Sequence, residues 1–201
     1  MSSVSPLPFT VSIDAATGAG RAFADHYVKY FRDVRDIFEV AAAAASIDGD
    51  SVAYEVYSNE RTKHEGALVF GTSVLMPGLI GDEFMMTRGH VHEIVDRAEV
   101  YYCLSGQGVM LMEDDAGRTI AEPLAPGDAV YVPGRWIHRS VNTGDQPLVT
   151  LFCFASDAGQ DYSIIDRSNG MAMRVVMDGA GGWRLRENPL YLPRDPADSS
   201  A

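Results

Sequence analysis

The stretch 87–106 contains most of the side chains in this sequence that are able to bind a transition metal. If this part of the chain is extended, His90 and His92 project from the same face of the strand, because successive side chains alternate. The polar run that follows can reverse the chain and return Glu99 to the histidine pair. His138 follows a later apolar run and supplies a fourth candidate ligand. The spacing therefore predicts a metal site made of three imidazoles and one carboxylate.

Three neutral imidazoles and one carboxylate suit Fe(II), Mn(II), Co(II), Ni(II) or Zn(II), and the ligand set does not choose among these ions. We expect Fe(II) first, with Mn(II), Ni(II) or Zn(II) as alternatives. Four protein ligands on an octahedral ion leave two positions open. An ion with open positions can act as a Lewis acid that polarises a bound carbonyl group. The same open positions on iron can equally bind oxygen.

Length and charge exclude several classes of protein. With 201 residues the chain is most simply one domain, since single β-barrels and sandwiches reach this size. A formal net charge of −12 argues against a nucleic acid or an anionic membrane as partner, because both require clustered Lys and Arg. A small molecule is the partner we expect.

The cysteines and the first residues of the chain indicate the cellular compartment in which we expect the protein. Cys103 and Cys153 each lie in an apolar run, where a free thiol behaves as a small buried hydrophobe. Segment 1–20 has no basic region followed by an apolar stretch, so no secretory signal is evident. No apolar run approaches the roughly 18 residues of a membrane span. We therefore expect a cytoplasmic protein.

From residue 51 onward the sequence is a series of short candidate strands separated by turns rich in Gly or Asp. Strands at a spacing of roughly 8–12 residues predict an antiparallel sandwich or barrel. The fold class predicted is therefore all-β. The candidate strands are 52–57, 68–75, 84–92, 99–104, 109–112, 119–122, 129–132, 139–142, 148–154 and 173–177, the last beginning a terminal hairpin that returns at Trp183.

The first fifty residues have a different pattern. Aromatic residues in 23–46 lie at partly helical spacing and predict one or two short helices or turns. Such aromatic residues belong to a core or a subunit contact more often than to a ligand site. We expect segment 1–50 to pack on the barrel or on a partner subunit, which favours a homodimer. The barrel itself is expected at 51–190, with a flexible tail at 191–201.

Two blocks of the sequence have the spacing of a known pair of motifs. In the first, six residues separate Glu99 from Gly106; in the second, intervals of five, four and three residues separate Gly127, Pro133, His138 and Asn142. These blocks resemble the motifs of the cupin superfamily, which implies a jelly-roll barrel with a short N-terminal segment, holding a metal by three His and one Glu. There are two departures: His92 and Glu99 are further apart than in most cupins, and Arg135 stands where Gly is usual.

The longer spacing matches a narrower group. Over about 52–162, the chain is similar to the cupin-type, archaeal-type glucose-6-phosphate isomerases, and the segments that carry this similarity are 84–92, 98–108, 131–133, 138–145 and 157–162. The resemblance implies a metal-dependent isomerase that interconverts glucose 6-phosphate and fructose 6-phosphate in glycolysis or gluconeogenesis. The four metal ligands carried over are His90, His92, Glu99 and His138.

The resemblance also implies roles for other residues. Glu99 is a proposed carrier of the proton between C2 and C1, with a hydride shift as the competing route. Neutral donors would hold the phosphate in place of an Arg clamp: Tyr54, Ser73, Thr87 and the backbone at Gly89. Tyr54 and Ser73 lie in strands, where they can equally pack or face solvent.

Tyr101 and Tyr162 are implied sugar contacts, although each suits a core position equally well. Gln160 stands where the family commonly has a histidine that could open the sugar ring. Three hypotheses therefore remain: an isomerase of glucose 6-phosphate or an isomerase or epimerase of a related sugar, a cupin dioxygenase, and a non-catalytic sugar-binding cupin.

Overall fold

The computed structural model describes residues 7–59 and 66–194. Strands dominate the regular secondary structure. The strands are β1 (Ser12–Ile13), β2 (Gly20–Arg21), β3 (Asp25–Tyr30), β4 (Val52–Ser58), β5 (Leu68–Leu75), β6 (Leu79–Ile80), β7 (Glu83–Phe84), β8 (Glu99–Ser105), β9 (Gly108–Glu113), β10 (Thr119–Leu124), β11 (Ala129–Val132), β12 (Ile137–Asn142), β13 (Leu148–Ala155), β14 (Met173–Met177) and β15 (Trp183–Glu187). The helices are α1 (Ala41–Ala45) and α2 (Ser163–Arg167), with 3₁₀ turns at Phe31–Asp33 and Arg35–Ile37. None of the helices in the described ranges is long and apolar enough to cross a membrane.

Two antiparallel layers form the barrel. The larger sheet has the order β11-β8-β13-β5-β4-β3, and the smaller has the order β10-β9-β12. In β8 the side chains alternate, so that Glu99 and Tyr101 are buried while Val100 and Tyr102 face outward. The Asn142 amide joins the layers by donating to the Leu75 carbonyl at 2.9 Å. The non-sequential strand order and the two facing sheets make a jelly roll, which confirms the predicted fold class.

The smaller sheet is covered on both faces. Every residue of β9 and β12 is buried, because one face lines the barrel and the other lies beneath Ile37, Met171 and Arg174. The hairpin of β14 and β15 extends this outer layer, as the sequence predicted. Side chains at alternate positions of β12 therefore enter two different environments.

Strand 84–92 is the predicted strand that the structure alters most. Only Glu83–Phe84 is regular, and beyond it the chain runs beside β12 through isolated bridges from Met86 to Val141 and from His90 to His138. Gly89 between these bridges has φ +83°, a left-handed conformation that interrupts a strand. The ladder is therefore broken immediately before the candidate ligands.

The N-terminal prediction is partly wrong. Asp25–Tyr30 forms strand β3, which pairs with β4 and extends the larger sheet, and the helical turns begin only at Phe31. The free edge of β4 offers backbone hydrogen bonds that the isolated segment cannot supply to itself, so pairing overrides the partly helical spacing.

At the other end, Tyr191 donates a hydrogen bond of 3.0 Å to buried Glu113, and Arg194 forms an ion pair with the same carboxylate. The first residues of the expected tail thus contact β9. Residues 195–201 lie outside the described residues.

Candidate metal centre and substrate pocket

Four buried side chains from both layers meet inside the barrel. Glu99 begins β8 in the larger sheet, His138 lies in β12 of the smaller sheet, and His90 and His92 come from the segment beside β12. Their ligand atoms all lie within 4.8 Å of one another. The Glu99 Oε2 atom is 3.0 Å from Nε2 of His138, 3.3 Å from Nε2 of His92 and 4.0 Å from Nε2 of His90. The structure therefore brings together the four ligands predicted from spacing.

Backbone carbonyls orient two of the imidazoles. His92 donates its Nδ1–H to the Arg97 carbonyl at 2.8 Å, and His138 donates its Nδ1–H to the Trp136 carbonyl at 3.0 Å. Because a carbonyl only accepts hydrogen bonds, the proton of each neutral ring is fixed on Nδ1. The lone pairs on Nε2 consequently face the centre of the cluster. Hydrogen bonds from the outer ring nitrogen to a carbonyl commonly orient histidines that bind metals.

The cluster fits a divalent cation. Nε2 of His90 and of His92 is buried and has no hydrogen-bond partner among the described residues, an arrangement that costs free energy unless an ion accepts the lone pairs. Burial and the neighbouring His138 hold the pKa of His90 well below its usual range. Burial works against ionisation of Glu99, but the adjacent His138 and His92 rings hold its pKa well below its usual range. A neutral imidazole and an ionised carboxylate are the protonation states that bind metals.

A cavity opens beside this cluster. His90 and Glu99 form part of its wall, whereas His92 and His138 are not among the residues that line it. The structure places all the other predicted site residues along it: Tyr54, Ser73, Thr87, Gly89, Tyr101, Gln160 and Tyr162. The sequence did not single out the remaining members of the lining: Tyr27, Val56, Arg88, Ser140, Phe152 and Phe154.

Tyr27 shows why part of the lining was missed. The sequence assigned it to a core or a subunit contact, yet it lies in the cavity wall and is 44% exposed. Strand pairing sets Tyr27 opposite Val56, and Val56 opposite Ser73. Directly paired residues share one face of a sheet, so Tyr27 points to the same side as Ser73. Only the register of β3 reveals this, and the sequence carries no local signal for it.

The phenols in the cavity are neutral hydrogen-bonding groups. Burial, and then the nearby Glu99 carboxylate, raise the pKa of Tyr101 well above its ordinary value. Burial is also the main reason that the pKa values of Tyr54 and Tyr162 are raised. The Tyr162 hydroxyl donates to Gln160 Oε1 at 2.6 Å, which fixes the orientation of the Gln160 amide. Neutral phenols can donate to substrate oxygens without adding negative charge.

The 87–89 loop closes one side of the cavity. Thr87 Oγ1 accepts the backbone N–H of Ser140 at 3.2 Å, which leaves the Thr87 hydroxyl proton able to donate into the cavity. The Arg88 side chain lies in the wall, but it forms ion pairs of 2.6 Å with Asp36 and 2.8 Å with Asp166. Its charge is therefore largely neutralised by carboxylates of the protein itself.

The facing sheets and the buried centre of three His and one Glu define this protein as a cupin. The family model described as Glucose-6-phosphate isomerase (GPI) matches residues 28–191. The chain belongs to the glucose-6-phosphate isomerase family.

Individual relatives span nearly the whole chain. A protein of Sinorhizobium medicae (strain WSM419) named glucose-6-phosphate isomerase is 41% identical over 197 residues, which cover 96% of this chain and 92% of the relative. A glucose-6-phosphate isomerase of Thermococcus gammatolerans is 42% identical over 185 residues, covering 92% of this chain and 96% of the relative. Among solved structures, oxalate decarboxylase of Bacillus subtilis is 26% identical with a TM-score of 0.43, covering 54% of this chain and 27% of that one.

Proposed function

We propose that this chain is a metal-dependent aldose–ketose isomerase that interconverts glucose 6-phosphate and fructose 6-phosphate. The observation that carries the proposal is the convergence of three imidazole Nε2 atoms and the Glu99 carboxylate at the wall of a cavity lined by neutral donors. Membership in the glucose-6-phosphate isomerase family supports the choice of substrate.

His90, His92, Glu99 and His138 would hold the divalent ion, for which we propose Fe(II), with Mn(II), Ni(II) or Zn(II) as alternatives. When bound, such an ion supplies a Lewis acid that polarises the sugar carbonyl and stabilises the enediolate. Glu99 is the carboxylate positioned to move the proton between C2 and C1, and a hydride shift is the competing route. The neutral Tyr101 phenol next to Glu99 can donate to the reacting oxygens.

The phosphate group would lie at the opposite side of the cavity. Hydroxyls of Tyr54, Ser73 and Thr87 and the backbone N–H of Gly89 are the proposed donors. Because Arg88 is paired with two carboxylates, these neutral groups are suited to bind the anion directly.

A coupled assay that follows conversion of fructose 6-phosphate to glucose 6-phosphate, run with metal analysis of the same sample, tests the proposal. Turnover that depends on the bound metal is the expected result. Oxygen uptake without isomerisation would instead favour a dioxygenase. We propose that the enzyme works as a cytoplasmic homodimer, and analytical ultracentrifugation measures that assembly.

Replacing Thr87 with Val is expected to weaken binding of the sugar phosphate. The variant keeps the shape of the side chain but loses a hydroxyl in the cavity wall, so KM should rise by roughly 5- to 150-fold. Steady-state kinetics with fructose 6-phosphate measures the change.

Thr72→Val is the matched control. Thr72 is fully buried on the other side of the larger sheet, where its hydroxyl donates to the Gly18 carbonyl. This control should lower stability without changing KM. Equal turnover of glucose and glucose 6-phosphate by the unmodified enzyme would contradict a phosphate site.

A further inference from the structure

A buried arginine lies directly behind the 87–89 loop. Arg139 follows the candidate ligand His138 in β12 and is 5% exposed. Because side chains alternate along a strand, Arg139 points away from the barrel interior and into the outer layer. Its Nη2 donates to the Arg88 carbonyl at 2.6 Å, and its Nη1 contacts the Met86 sulfur at 2.8 Å.

The bond to the Arg88 carbonyl determines where the next backbone N–H points. The peptide between Arg88 and Gly89 is trans and planar, so its C=O and N–H groups point in opposite directions. Since Arg139 holds the carbonyl on the side away from the cavity, the N–H of Gly89 is directed toward the cavity. Within the described residues this N–H has no acceptor.

Glycine is required at this position for two reasons that both involve Arg139. The φ angle of Gly89 is +83°, which residues with a side chain rarely adopt. A Cβ atom at this position would lie 2.9 Å from Arg139 Nε and 3.2 Å from Arg139 Nη2. The guanidinium thus fills the space that a side chain at position 89 would occupy.

The charge of Arg139 is unusual for a buried arginine. The neighbouring Arg174 is paired with Glu83 at 2.6 Å, but no carboxylate in the described ranges lies within ion-pair distance of Arg139. Its Nε is also buried without a hydrogen-bond partner among the described residues. A buried cation without a counter-ion is costly, and an anion bound at the cavity side of the loop would reduce that cost.

We propose that Arg139 is the positioning residue that makes the 87–89 loop an anion-binding loop. It fixes the Arg88 carbonyl so that the Gly89 N–H faces the substrate phosphate. It also adds a positive charge behind that N–H, and this charge has no direct ion-pair partner among the described residues. This inference rests on the proposed function. It explains how a chain with a net charge of −12 can attract an anionic substrate although its lining arginine, Arg88, is already paired.

The test compares Arg139→Met with Arg139→Lys. Methionine fills similar space without a charge or donors, so KM for fructose 6-phosphate and the inhibition constant of inorganic phosphate should both rise by roughly 10- to 100-fold. The value of kcat and the metal content per chain should change far less. Lysine keeps the charge and should restore part of the affinity. Gly89→Ala, which disturbs the same peptide from the other side, should also raise KM.

Arg186→Met is the matched control, because Arg186 pairs with Glu39 and Asp82 in the outer layer and does not contact the loop. It should leave KM and phosphate inhibition unchanged. If Arg139→Met lowers only the melting temperature, as Arg186→Met would, Arg139 is structural and the proposal is overturned. If Arg139→Met does not fold, KM and the phosphate inhibition constant of Arg139→Lys and Gly89→Ala test the proposal instead.

Direct titration with inorganic phosphate separates this proposal from the proposed function. Failure of the enzyme to interconvert glucose 6-phosphate and fructose 6-phosphate would contradict the proposed function. If the unmodified enzyme binds phosphate and Arg139→Met does not, the proposal that Arg139 makes the 87–89 loop an anion-binding loop is still supported. Phosphate binding that Arg139→Met leaves unchanged would contradict it.

Discussion

Replacing His138 with Ala is expected to remove the bound metal and isomerase activity together. The same result is expected for His90, His92 and Glu99, since each contributes one ligand atom to a cluster in which all four lie within 4.8 Å. Loss of a group that only hydrogen-bonds to a metal ligand typically costs about 10- to 100-fold in metal affinity, so loss of a ligand itself should cost more. Elemental analysis and the coupled isomerase assay, run on one preparation, measure both quantities.

His26→Ala is the matched control for these variants. His26 lies on β3 with its ring 2.9 Å from Glu55, outside the centre. Its replacement should change neither metal content nor kcat. Chelation should abolish the activity of the unmodified enzyme, and added Fe(II) or Mn(II) should restore it. Full activity in demonstrably metal-free protein would remove the hypothesis.

The metal-free protein is expected to stay folded. Unlike a small zinc finger, this barrel has its own apolar core, which includes the fully buried Met110 and Val141. Circular dichroism of the chelated protein should therefore match that of the metal-loaded protein, while activity is lost.

Gln160→His is expected to raise turnover of glucose 6-phosphate by about 10²- to 10⁴-fold, the usual contribution of general acid–base catalysis. Gln160 lies in the cavity wall and accepts a hydrogen bond from Tyr162, but an amide cannot exchange a proton near neutral pH. An imidazole at this position could act as a base in opening the sugar ring. The variant's rate should therefore increase as the pH rises through about 6.5, where the added histidine becomes neutral.

Stopped-flow and steady-state assays that start from the cyclic sugar measure this change, with metal content unchanged. Gln146→His is the control, since Gln146 is exposed on the loop before β13 and outside the lining. An unchanged rate and pH profile in Gln160→His would show that residue 160 does not contact the reacting atoms. If the unmodified enzyme turns over another hexose phosphate faster than glucose 6-phosphate, Gln160 suits a different sugar.

Much of the fold could be predicted because its signals are local. Alternation and turn residues placed most strands within one or two positions, as with β5 at Leu68–Leu75 and β11 at Ala129–Val132. The histidine spacing also identified the four side chains that meet, because two residues on one face of an extended segment must point the same way.

The prediction for Asp25–Tyr30 was wrong for a physical reason. Partly helical spacing suggested turns, whereas pairing with the edge of β4 makes this segment a strand. Sheet pairing depends on a partner that is remote in the sequence, and no local pattern of the segment itself contains that information.

The sequence by itself determined which residue types are present for metal and substrate chemistry. The tertiary structure decided how Glu99 of one sheet meets His138 of the other, and how register brings Tyr27 into the cavity. It also decided that Arg139, one residue after a candidate ligand, turns away and holds the loop from behind. These relations depend on the packing of two sheets and on strand register. Both arise from contacts between residues that are distant in the sequence, so no local sequence pattern predicts them.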